Sequence, residues 1–264
     1  MTTDRVETDG PVAPPPPAPT PPPEPPVSFD RSPLAEYGSW PWVLGTLGAV
    51  LLALLALSVF YAAGRAAVGR PAASATSPAL FFLLIVLEDA IFLTAVYLLL
   101  IRRRVVTWGE LGLRRSGAGR AAIAGLGWGV LFIIVAGILE YILGSLGVRQ
   151  TQAAEFPLQG ASALGVAGIL VAGVAFAPFA EEVFFRGYVY RAMSERKGVL
   201  RGVVYSSALF GAVHWNLGAF LPIAAGAVLL ALSFRRTNHL LTPIVAHALN
   251  NAFAFALLLL TRGS

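Results

Sequence analysis

From about residue 40 onward the chain alternates long charge-free apolar stretches with short basic segments. A hydrocarbon core about 30 Å thick needs some 20 apolar residues in helical form to be crossed. Within lipid a lone segment can satisfy its own backbone polar groups only as a helix. The pattern therefore predicts spans near residues 42–63, 79–101, 121–147, 161–190, 202–218, 219–234 and 240–261. The expected fold class is all-α, a polytopic membrane helix bundle of about seven transmembrane helices, forming one domain over residues 40–264.

Three polar pairs interrupt these apolar stretches: Glu181-Glu182-x-x-x-Arg186, Phe210-x-x-x-His214 and His247-x-x-x-Asn251. In each, residues four apart share one helix face. Ionisable groups at membrane depth are costly, which marks them as candidate functional groups.

Residues 1–39 are a different physical object. Twelve of the 19 prolines fall there, with six acidic residues against two arginines. Proline lacks an amide hydrogen, and so few apolar groups cannot offset the ordering entropy. A disordered, proline-rich cytoplasmic tail is expected, acting as a spacer or as a ligand for proline-motif readers. The chain has no cysteine, so disulfides, thiol nucleophiles and cysteine zinc sites are excluded. The first apolar run begins some forty residues in and is long enough to span, so it reads as a retained helix and not a cleaved leader.

The remaining 225 residues carry 17 basic and eight acidic groups. Their positive charge gathers in short segments: Arg102 to Arg104 with Arg114, Arg115 and Arg120; then Arg191, Arg196, Lys197 and Arg201; then Arg235 and Arg236. Short basic loops stay in the cytoplasm. Bilayer rather than nucleic acid is the partner this implies, with the N-terminus cytoplasmic and the C-terminus outside. Glu181 precedes Arg191 by ten residues, His214 follows Arg201 by 13, and His247 follows Arg236 by 11. At about 1.5 Å per residue, all three lie some 15–20 Å from the cytoplasmic flank.

Neighbours on a helix point about 100° apart, so Glu181 and Glu182 must have different roles. Glu182 and Arg186 can form a charge-assisted pair, which leaves Glu181 free for chemistry. Pro178 should kink the helix nearby. Phe210 can pack beneath His214, and His247 with Asn251 can donate two hydrogen bonds to one oxyanion. Taken singly, each pair could merely join helices.

In this order on successive helices, the three motifs resemble those of the CPBP family of intramembrane proteases. That family includes type II CaaX prenyl endopeptidases and Abi-like bacteriocin-processing and self-immunity proteins. The string from Trp108 to Arg115 also resembles the family's lead-in, so the likeness covers about residues 105–254. The resemblance implies an endopeptidase acting on a membrane protein or a lipidated or hydrophobic peptide. Glu181 and His214 would activate water, His247 and Asn251 would stabilise the oxyanion, and Glu182, Arg186 and Phe210 would support them.

No cofactor is favoured. A zinc site would draw on Glu181, His214 and His247, the ligand count of catalytic zinc, but the linear His-Glu-x-x-His signature is absent. Glu88 and Asp89 fall at nearly the same depth, one of them as a partner of Arg186 or a cavity-lining group, or else as helix–helix hydrogen-bond partners. Glu140 reads as interfacial and His239 as an exposed loop histidine. A transporter is the alternative class, although no internal repeat is found; a non-catalytic immunity or binding protein of the same fold is another. A retinal Schiff base is excluded, because the only lysine, Lys197, lies in a loop.

Overall fold

The computed structural model describes residues 32–67, 77–148, 156–158 and 161–262. Eight helices occupy these residues: α1 (Pro33–Tyr37), α2 (Trp40–Ala67), α3 (Pro78–Ile101), α4 (Ala118–Ser145), α5 (Ala163–Lys197), α6 (Val199–Val213), α7 (Leu217–Thr237) and α8 (Leu241–Arg262). Six are long and apolar enough to cross a membrane, and no strand occurs among the described residues. The bundle is therefore all-α and multi-pass.

The expected fifth span differs most. In place of one helix over 202–218, α6 covers 15 residues and ends at Val213. At about 1.5 Å per residue that is roughly 22 Å, short of a full crossing. The chain turns at His214-Trp215-Asn216, and the Asn216 side chain accepts from the Ala219 amide at 3.1 Å to cap α7. Helices α6 and α7 thus form a hairpin with His214 at its tip.

Most of the proline-rich stretch, residues 1–31, lies outside the described residues. Its last part is not a tail: Ser32 caps α1, and Leu34 is fully buried. The expected boundary at residue 39 therefore moves back, because Leu34 and Ala35 have apolar surface to bury against the bundle. α1 packs on the C-terminal end of α5, where a Cβ on Gly38 would collide with the Ala192 carbonyl.

Two features fix α8, the helix that carries His247. Gly125 and Gly129 on α4 let the backbones approach closely. A Cβ at Gly125 would lie 2.7 Å from the Thr242 carbonyl oxygen, and one at Gly129 would lie 2.9 Å from Leu249. Without a hydrophobic drive between helices in lipid, such small-residue contact is what allows tight packing. Thr242 Oγ1 also donates to the Ala121 carbonyl at 3.1 Å.

The second feature is the segment 107–114. Thr107 and Glu110 form a capping box. The Thr107 amide and hydroxyl donate to Glu110 Oε2 at 2.7 and 2.9 Å, and the Glu110 amide donates back to Thr107 Oγ1 at 3.2 Å. The compact turn that follows buries Leu111 completely. Gly112 has φ +103°, and its carbonyl accepts from the Leu240 amide at 3.0 Å. Arg114 donates to the Asn238 carbonyl. The string that reads as a lead-in is thus a clamp on the start of α8.

The clamp should be acid-sensitive. Hydrogen bonds from the Thr107 backbone and side chain hold the Glu110 carboxyl below its usual range. Its contribution is present above the ordinary carboxylate pKa and is lost as pH falls through the depressed one. Hydrogen exchange at the Thr107 amide is expected to accelerate, relative to the intrinsic rate, only on that acidic side. Unchanged protection down to full protonation would refute the assignment.

Candidate active site

Helix α5 is not uniformly α-helical. It widens to π geometry over Ala172–Phe176 and again over Val183–Tyr190, on either side of Ala177–Glu182. Such bulges often occur at functional sites. In the first, the Ala177 amide donates to the Ala172 carbonyl. The next bond in that register would run from residue 178 to Gly173, and Pro178 has no hydrogen to give. Asn251 Nδ2 of α8 fills the gap, donating to the Gly173 carbonyl at 2.9 Å. Pro178 therefore acts by freeing a carbonyl that α8 reads.

The two glutamates take separate directions. Glu182 is fully buried, and its Oε1 accepts from Arg186 Nη1 at 2.7 Å. Arg186 also donates to the Ala227 carbonyl at 3.2 Å and lays its guanidinium 4.5 Å from the Phe210 ring centroid. The same Oε1 lies 3.0 Å from His247 Nδ1. A carboxylate paired with arginine can only accept, so the hydrogen sits on Nδ1. Nε2 then faces Glu181, 3.9 Å from its Oε2.

His214 is held in a parallel way. Its Nδ1 lies 2.7 Å from the Phe210 carbonyl oxygen. That oxygen also only accepts, so Nε2 is again the uncommitted nitrogen. The Phe210 ring packs 4.8 Å from the His214 ring and 5.8 Å from the His247 ring, centroid to centroid. One aromatic side chain thus touches both imidazoles and the guanidinium.

Trp215, next to His214, has φ +51° and lies exposed. A bulky residue in the left-handed region is strained, and at the hairpin tip it ends α6 and turns the chain away just after His214.

Of the anticipated residues, Glu181, Glu182, Arg186, Phe210 and His247 come together in one contact network, with His214 against Phe210. Asn251 lies one turn beyond His247, with one amide hydrogen committed to Gly173. Sequence reasoning assigned Glu182 to Arg186 and missed its bond to His247, which depends on α5 and α8 being side by side. It also missed the Gly173–Asn251 bond, although Pro178 was its visible sign. His239 is buried rather than exposed: Nδ1 accepts from the Leu241 amide at 3.2 Å to start α8. Glu140 is exposed near the end of α4.

The profile of the Type II CAAX prenyl endopeptidase Rce1-like family matches residues 163–253, the segment from the start of α5 to past Asn251. A Bacillus subtilis (strain 168) protein named "Putative membrane peptidase YdiL" is 29% identical over 132 residues. Over this segment the chain resembles the CPBP family of membrane proteases. The match covers 50% of this chain and 53% of the relative, so the chain spans about half the length of the curated relative it matches. No solved structure matches it significantly.

A CPBP zinc site would need three ligands converging on one point. Among the described residues, no three glutamate, aspartate or histidine side chains do so. The set Glu181, His214 and His247 therefore does not fit a metal as arranged.

Proposed function

We propose that the chain is an intramembrane endopeptidase that hydrolyses a peptide bond in a membrane-associated protein or peptide. The observation that carries this reading is Glu182 Oε1 accepting from both Arg186 and His247, so that Nε2 of His247 is aimed at Glu181.

Charge balance supports a division of roles. Glu181, Glu182, Arg186 and His247 sum to zero when His247 carries its second proton, and Nε2–H is then a donor. Glu181, with His214 Nε2 as a second acceptor, takes a proton from water as the hydroxide adds to the peptide carbonyl. The developing oxyanion accepts from His247 Nε2–H and from the second amide hydrogen of Asn251. Collapse returns the proton held by Glu181 to the leaving amine. Water is thereby divided between the new carboxyl and amino termini.

The basic residues also support an orientation. Arg102–Arg104 follow α3, Arg196 and Lys197 end α5, and Arg235 and Arg236 end α7. An α6–α7 hairpin returns to the side it left, so all three clusters stay cytoplasmic with the N-terminus inside and the C-terminus outside.

The test is incubation of the detergent-purified chain with a library of membrane-soluble peptides in heavy-oxygen water. Cleavage should place one heavy oxygen in each new C-terminus; a folded protein that cuts nothing would refute the reading. The family name points to prenylated CaaX termini as one substrate class, and matched peptides with and without the lipid separate it from unmodified ones. Exhaustive chelation is expected to leave the rate within about twofold. Loss restored by added zinc would overturn the metal-free route.

A further inference from the structure

We propose that Glu88 and Asp89 of α3 form a subsite for a cationic side chain of the substrate, an arginine or lysine close to the cleaved bond. This rests on the endopeptidase reading and adds a specificity to it. Both residues lie near the middle of a 24-residue apolar helix, where an unpaired charge is most costly. Asp89 is only 5% exposed, and its Oδ2 has no hydrogen-bond partner among the described residues. Glu88 lies open on the helix surface.

Both belong to the active-site neighbourhood. Glu88 is within electrostatic range of Glu181 and His214, and Asp89 is within range of Glu181. Among the described residues no arginine or lysine forms an ion pair with either, and His214 is a cationisable group within range of Glu88. Arg186, the arginine at this depth, is engaged by Glu182, the Ala227 carbonyl and the Phe210 face.

A proton alone gives Asp89 a single O–H to share among several oxygens, since Glu181 Oε2 is also without a hydrogen-bond partner. A guanidinium or ammonium group brings both the opposite charge and several donors. Glu181 Oε2 is likewise without a hydrogen-bond partner, and His247 Nε2 stands 3.9 Å from it, too far for a direct bond. The unfilled acceptors Asp89 Oδ2 and Glu181 Oε2 therefore lie within electrostatic range of each other. A cation there would also screen Glu181 from Asp89.

The probe is a peptide that the chain cleaves, carrying arginine, glutamine or glutamate in turn at each of three positions on either side of the cleaved bond. Wild type is expected to prefer arginine over glutamine by at least tenfold in kcat/KM at one position, mainly through KM, and to disfavour glutamate there. In the Glu88→Gln, Asp89→Asn double variant that ratio should fall toward one, whatever the absolute rate. Glu88→Gln alone, at an open position, should reduce it in part and covers a double variant that fails to fold.

Robust cleavage with no arginine preference at any position would overturn the subsite and leave the endopeptidase reading standing; it would mean that the pair is filled by protons or water. A preference undiminished in both variants would also overturn it. Cleavage of no peptide would remove both readings together.

Discussion

Glu181→Gln is expected to lower the cleavage rate by about 10³-fold, the usual scale for losing a positioned general base. Glutamine keeps the shape of the side chain and cannot take a proton from water. Glu181 belongs to neither the Glu182–Arg186 bond nor the Glu182–His247 bond, so the fold should be spared. The measurement is single-turnover cleavage in detergent, with thermal unfolding run in parallel. A folded variant that cuts at the wild-type rate would remove Glu181 from the mechanism. By contrast, Glu182→Gln should lower the rate and loosen the fold together, because its Oε1 serves the arginine and the imidazole at once.

Arg186→Met carries the largest expected cost in stability, about 3–5 kcal/mol, because it strands a fully buried carboxylate. His247 could compensate that charge only in part, and the Ala227 carbonyl would lose its donor. Reversible unfolding in mixed detergent micelles reads the effect. Removing both charges with Glu182→Gln, Arg186→Met is expected to recover part of the loss, since breaking a buried pair costs more than deleting it. His247 would still lack its carboxylate, so activity should not return with stability. A single-variant loss below about 1 kcal/mol would show that the pair is not a structural tie.

The contrast between these variants separates what could be read in the motif from what could not. The four-residue spacing of Glu182 and Arg186 was sufficient to pair them, because that geometry is internal to one helix. Four of the expected spans matched observed helices within three residues at each end for the same reason: apolar length is a local property. The fifth span failed because hydropathy does not distinguish one crossing from a hairpin arm. The break at His214 to Asn216 is set by a side-chain cap and a left-handed residue, which change the direction of the backbone without changing its apolar character. The helix at Pro33–Tyr37 was missed because its flanking prolines resemble the tail, whereas its order comes from burying Leu34 against distant residues.

By itself, then, the sequence determined a multi-pass helical protein, its costly polar groups, and which of them share a helix face. Those follow from periodicity and from the expense of charge in lipid. Only the tertiary structure decided that Glu182 orients His247, that Asn251 answers a carbonyl freed by Pro178, and that the turn at Gly112 clamps the start of α8. Each of these is a bond between helices far apart in sequence. Its existence depends on how closely the backbones approach, and that distance is fixed by the glycine contacts of α4 with α8 and by the widened turns of α5.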